Sequence, residues 1–146
     1  MKGSTTLKGL KRPDLLQKCA YVNGAWLSKV ETIPVVDPAT GEELAQVAAC
    51  EISDVDTAVN VARSAFQRWR DVLPSVRGEY LRKWAAGMRE NAEDLAAIMT
   101  AEQGKPLTEA RSEISYAASF LDWFAAEGER AYGETIPSHL AGSRLS

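Results

Sequence analysis

Three features of this 146-residue chain predict an α/β fold in which short β-hairpins lead into a helical bundle, with the sheet left incomplete. The first is a pair of turn signals, Asn23-Gly24 and Asp37-Pro38-Ala39-Thr40-Gly41, each flanked by β-rich runs. The second is a change of apolar spacing after about Ser53, from alternation to steps of three and four residues. The third is punctuation of that helical pattern by Gly104, Lys105-Pro106 and Gly133.

Taken in order, the first 18 residues carry Lys2, Lys8, Lys11, Arg12 and Lys18 against only Asp14. With one arginine and no apolar signal core, the stretch reads as a disordered basic arm rather than a targeting segment. From Ala20 to Leu27, Asn23-Gly24 supplies the positive φ angles of a tight hairpin turn. Thr32 to Val36 and Leu44 to Ala48 form a second pair of strands, and Pro34 confines its strand to an edge.

Ser53 and Asp56 have capping-box spacing, and Val55, Ala58, Ala62, Ala65, Phe66 and Trp69 repeat on one face, so a helix is predicted from Asp54 to Arg70. A second begins near Pro74 with Leu81, Trp84, Ala85 and Met88 inward. Asn91 is placed to cap a third, with Leu95, Ile98 and Met99 inward. Arg63, Arg68, Arg70, Arg77, Arg82 and Lys83 read as solvated surface.

The longest helix follows Lys105-Pro106 and ends before Gly133. Ile114, Ala117, Ala118, Leu121 and Ala125 make one apolar face, and Tyr116, Phe120 and Trp123 a second stripe. A helix apolar over so much of its surface is expected to be buried on two sides. Aromatics at helical spacing are mostly core, and the sharper alternative is that the stripe borders a pocket. After Pro137 a short strand, a turn at Gly142-Ser143 and the first residues of another strand are expected. A strand broken off there leaves ladder groups unpaired, which reads as a fragment or a truncated gene model.

Composition narrows the function classes. Apolar residues make up 45% and charged residues 25%, with a net charge of −3, so neither disorder nor a nucleic-acid-binding field is indicated. Charges interrupt every apolar run well before the ~18 residues of a membrane span. Cys19 and Cys50 lack C-x-x-C spacing and read as small hydrophobes in a reducing compartment, and the lone His139 has no metal-binding partners. No two glycines are close enough for a dinucleotide turn, and Met99 stands where a phosphate loop ending at Gly104-Lys105 would need its first glycine. The carboxylates Glu109, Glu113, Asp122, Glu127 and Glu129 read as the wet face of the long helix.

The run EQGKPLTEARSEISYAASFLDWFAAEGERAYGETIP, with AYVNGAW and VVDPATGEELAQV before it, resembles the aldehyde dehydrogenases, and among them the succinate-semialdehyde branch. The likeness covers about Ala20 to Pro137, in several separated motifs in the same order. It implies the N-terminal part of that family's fold, with residues 19–137 in the NAD(P)-binding domain and residues 138–146 starting a truncated hairpin used for subunit association. In the family, a cysteine thiolate, hydride transfer to NAD or NADP and a water-activating glutamate oxidise the aldehyde. Those motifs lie downstream of Ser146, so no residue here is assigned a catalytic, cofactor-binding or metal-ligating role. The resemblance makes Tyr116, Phe120 and Trp123 candidate walls of the aldehyde tunnel. It further implies oxidation of succinate semialdehyde in 4-aminobutyrate degradation, a dimer or tetramer, and a cytoplasmic or mitochondrial setting. The alternative is a non-catalytic helical module that binds a partner through the aromatic stripe.

Overall fold

A computed structural model describes residues 5–133, 136–137 and 144–145. Two hairpins come first. β1 (Ala20–Val22) pairs antiparallel with β2 (Ala25–Leu27) across Asn23 and Gly24, whose φ angles of 53° and 77° are those a two-residue turn of the favoured hand demands. The register sets Tyr21 opposite Trp26, and their rings meet edge to face at 5.0 Å.

β3 (Thr32–Val36) pairs antiparallel with β4 (Glu43–Ala48), with a register irregularity between Val35 and Val36. In the connecting turn Asp37 is buried: its carboxylate accepts the Ala39 N–H at 2.8 Å, and its carbonyl accepts the Gly41 N–H at 2.7 Å. Gly41 closes the turn at φ 71°. Pro34 lies in a two-stranded sheet, where its missing donor is tolerated.

Four helices follow: α1 (Ile52–Trp69), α2 (Pro74–Glu90), α3 (Ala92–Gln103) and α4 (Leu107–Glu129). The core lies among the last three. Ala96 of α3 packs on Ala110 and Ile114 of α4, with Met88, Ala92, Leu95 and Met99 half-buried around them. α2 and α4 approach through small residues, with Ala85, Ala118 and Ala125 almost fully buried. Gly78 is needed at that crossing because a Cβ there would come within 3.0 Å of the Ala125 carbonyl oxygen. Ion pairs from Arg82 to Glu129 and from Arg89 to Asp122 bridge the same two helices at their exposed edge.

Several expectations are corrected. α1 is capped earlier than Ser53 suggests: the Glu51 N–H donates to Asp54 Oδ2 at 2.8 Å, the backward half of a capping box. Asn91 stands at the start of α3 but donates its side-chain amide back to the Gly87 carbonyl of α2, so it finishes one helix rather than capping the next. Trp84 is 63% exposed, turned away from the inward face that carries Ala85 and Met88. Ala117 is also exposed, because it sits on the flank of the Ile114–Ala118–Ala125 stripe. The apolar face of α1 is largely uncovered: Val55 and Phe66 are exposed, Trp69 is still exposed although it meets Tyr80 of α2 edge to face at 5.6 Å, and no residue of α1 is buried among the described residues. Cys50 is exposed rather than packed as a small hydrophobe, and Cys19 is half-buried.

Residues 5–18, expected as part of a disordered arm, instead include 3₁₀ turns at Thr5–Gly9 and Pro13–Leu15, the first packed against α3. At the other end, β5 (Ile136–Pro137) pairs antiparallel with β6 (Arg144–Leu145). The strand expected over 138–141, the turn at Gly142-Ser143 and His139 lie outside the described residues. No helix among the described residues is long and apolar enough to cross a membrane.

Candidate functional site

The candidate site is the side of α4 turned away from the core. At ~100° per residue, Tyr116, Phe120 and Trp123 fall well over a quarter-turn from Ile114, Ala118 and Ala125. Their exposures follow from that geometry, at 65%, 44% and 62%, against nearly complete burial of the alanine stripe. Burial on two sides is therefore not realised among the described residues, and the aromatic stripe is a surface of this part of the molecule.

The rings are ordered among themselves. Tyr116 meets Phe120 edge to face, with centroids 4.7 Å apart and planes at 89°. Phe120 in turn stacks on Phe124 at 6.3 Å and 29°, extending the ladder by another turn. Trp123 stands two turns beyond Tyr116 on the same side, and its ring faces the Arg130 guanidinium at 5.8 Å. Phe124, half-exposed and joined to the ladder, is the member that sequence reasoning missed. Its signal was present, since it lies four residues after Phe120.

Polar groups are sparse along this wall. The Ser119 hydroxyl donates to the Tyr116 carbonyl at 2.7 Å and so stays with its own helix. Four of the five carboxylates of α4 make ion pairs, Glu113 with Lys105, Asp122 with Arg89, Glu127 with Arg130 and Glu129 with Arg82, and the fifth, Glu109, is exposed. Such pairs fit the wet-face reading and leave none of these four side chains placed as a free base.

A dinucleotide would need backbone N–H groups converging in a glycine-rich turn at a helix start. Among the described residues, Gly24, Gly41, Gly104 and Gly133 take positive φ, and each stands alone in its own turn or helix end. They form no such cradle, so the described residues do not fit the cofactor by themselves. No cluster of three or more metal-ligating side chains occurs among them either. An apolar aromatic ladder with few polar groups can line a passage for a small organic molecule, but it carries no nucleophile, base or hydride acceptor.

Comparison with known proteins adds the context. Residues 26–145 match the aldehyde dehydrogenase family. The chain is 46% identical over 138 residues to a 3-sulfolactaldehyde dehydrogenase from Pseudomonas putida, covering 93% of this chain and 28% of that protein. It is 45% identical, again over 138 residues, to a succinate-semialdehyde dehydrogenase [NADP(+)] from Escherichia coli, covering 93% of this chain and 29% of that one. The crystal structure of a succinate-semialdehyde dehydrogenase from Burkholderia pseudomallei superposes with a TM-score of 0.89 at 43% identity, over 93% of this chain and 29% of the other. The chain thus spans under a third of the length of these relatives, with likeness in sequence and in fold along nearly all of its own. It belongs to the aldehyde dehydrogenase family.

Proposed function

We propose that the complete protein is an NAD(P)+-dependent aldehyde dehydrogenase that oxidises succinate semialdehyde to succinate, as in 4-aminobutyrate degradation. In that reaction water supplies the new oxygen and the aldehyde hydride passes to NAD or NADP. The observation that carries the reading is the Tyr116–Phe120 ladder, ordered yet exposed on the side of α4 opposite the core, in a chain with 45% identity to a succinate-semialdehyde dehydrogenase. The role of this chain is to supply the α4 wall of the aldehyde tunnel, with Tyr116 and Phe120 as lining residues and Trp123 at its margin. Residues 19–137 form the first part of the cofactor domain, and residues 138–146 begin a hairpin for association into a dimer or tetramer. The protein works in the cytoplasm or the mitochondrion.

Relatives named for both a sulfonated and a carboxylated aldehyde make the substrate the finer part of this reading. The test is steady-state kinetics of Tyr116→Ala and Phe120→Ala in the complete protein, with succinate semialdehyde and with a longer apolar aldehyde. A changed ratio of the two kcat/KM values with little change in melting temperature supports a tunnel wall. An unchanged ratio with lost stability makes the residues core. The 146-residue polypeptide alone should reduce neither NAD+ nor NADP+ above a no-protein control, because the described residues offer no glycine-rich cradle that would hold the hydride-accepting dinucleotide beside a nucleophile.

A further inference from the structure

The N-terminal segment makes a contact that the family reading does not use. Asp94 in the first turn of α3 is only 7% exposed, and its Oδ2 accepts the backbone N–H of Arg12 at 2.7 Å, across 82 residues of sequence. A buried carboxylate is tolerated only when donors reach it, and here the donor is the main chain of a distant segment. The segment is shaped to deliver that N–H. The Arg12 guanidinium binds the Asp14 carboxylate through two hydrogen bonds, of 2.8 and 2.7 Å, and the Leu15 N–H returns to the Arg12 carbonyl at 3.0 Å, which curls Pro13–Leu15 into its 3₁₀ turn. The preceding turn, Thr5–Gly9, lies against α3. Next to Asp94, Glu93 takes the Arg111 guanidinium of α4 in a bidentate pair, so one turn of α3 holds the N-terminal segment with one carboxylate and α4 with the other.

We propose that residues 5–15 are a structural strap on α3, fastened by the Arg12 N–H to the buried Asp94 carboxylate, next to the Glu93–Arg111 pair that joins α3 to α4. This inference does not rest on the proposed activity. The strap contains Lys8 and Lys11, so trypsin reads its release directly in the complete protein under native conditions. Cleavage after these lysines should be about tenfold or more slower in the protein than in a synthetic peptide of residues 1–18, because a fastened segment is cut only when it opens. Equal rates in protein and peptide overturn the proposal without any variant having to fold. In Asp94→Ala the cleavage should accelerate by about tenfold, while hydrogen exchange of the β1–β2 hairpin stays at its wild-type rate. Cleavage of the folded variant at the wild-type rate, or an acceleration shared equally by the hairpin, overturns the strap as a local device.

Discussion

Gly104 and Pro38 meet so closely that a side chain on the first would collide with the ring of the second: a Cβ at Gly104 would lie 2.9 Å from Pro38 Cγ. Gly104 ends α3 in the left-handed region at φ 71°, donating its N–H to the Thr100 carbonyl at 2.9 Å. The contact seats the turn between β3 and β4 on the corner where α3 gives way to α4. It thereby ties the hairpin half of the chain to the helix that carries the aromatic ladder.

Gly104→Ala is expected to destabilise on two counts. A non-glycine residue in the left-handed region costs about 1–2 kcal/mol, and the overlap with a ring that cannot swing aside adds roughly 1–3 kcal/mol. Chemical denaturation of the complete protein measures the sum. Adding Pro38→Ala should return the overlap share and leave the backbone share, so a double variant no more stable than Gly104→Ala alone would show that the ring is not the obstacle.

Lys29 and Asp54 give a prediction with a pH window. Lys29 Nζ lies 2.7 Å from Asp54 Oδ2 and ties the start of α1 to the segment after β2. The hydrogen bond from Lys29, then that from the Glu51 N–H, hold the Asp54 carboxyl below its ordinary value of 3.8. A carboxyl lowered by folding stabilises above its unfolded-state pKa, and the gain is lost as pH falls through the lower folded value. Asp54 in turn raises Lys29 above 10.5, so that group's contribution is complete below its unfolded-state pKa and is lost as pH rises through the raised value. The melting-temperature difference between wild type and Lys29→Met should be flat through neutral pH and shrink below 3.8 and above 10.5. A difference that varies between pH ~6 and ~8 would assign the effect to other groups.

Ile114→Ala tests the core. The side chain is nearly buried among Ala96, Ala110 and the half-buried Met88, Leu95 and Met99. Its truncation is expected to cost about 2–4 kcal/mol, toward the lower end if the methionines relax into the space. A loss under ~1 kcal/mol by denaturant titration would mean that this cluster is not the centre of the helical packing.

What the sequence made legible follows from the range of the signal. Asn23-Gly24, Gly41 and Gly104 mark positive φ because backbone sterics act on one residue at a time, and all three stand where a turn or helix end was expected. Helix positions were legible from periodicity, and α2 begins at Pro74 as read. Which face is covered was not. Periodicity says that Trp84, Ala117 and the Phe66 side of α1 are apolar, but whether another element lies over them is a property of the partner, and each is exposed among the described residues. The Arg12–Asp94 bond, between residues 82 apart, involves a backbone donor that every sequence carries, so nothing local announces it. The candidate site was legible in part: spacing marked Tyr116, Phe120 and Trp123 as a stripe and the family resemblance made them tunnel candidates, while the same four-residue spacing to Phe124 went unread and the ring geometry is a property of the fold.

The exposed rings predict the behaviour of the 146-residue polypeptide by itself. Val55 and Phe66 on α1, and Tyr116 and Phe120 on α4, present exposed apolar surface, and Trp69 and Phe124 stay about half-exposed even though Trp69 meets Tyr80 of α2 edge to face at 5.6 Å. Contiguous apolar area of this kind drives association, so size-exclusion chromatography with light scattering should give a mass above that of one chain, rising with concentration. Phe66→Ser and Phe120→Ser remove rings that are already half-exposed, which spares the alanine core while shrinking both faces. The double variant should shift toward the monomer, with helical circular dichroism retained. A sharp wild-type monomer that melts cooperatively would show that these faces close on the chain itself, and the proposed tunnel-wall role of Tyr116 and Phe120 would lose the exposure it is argued from.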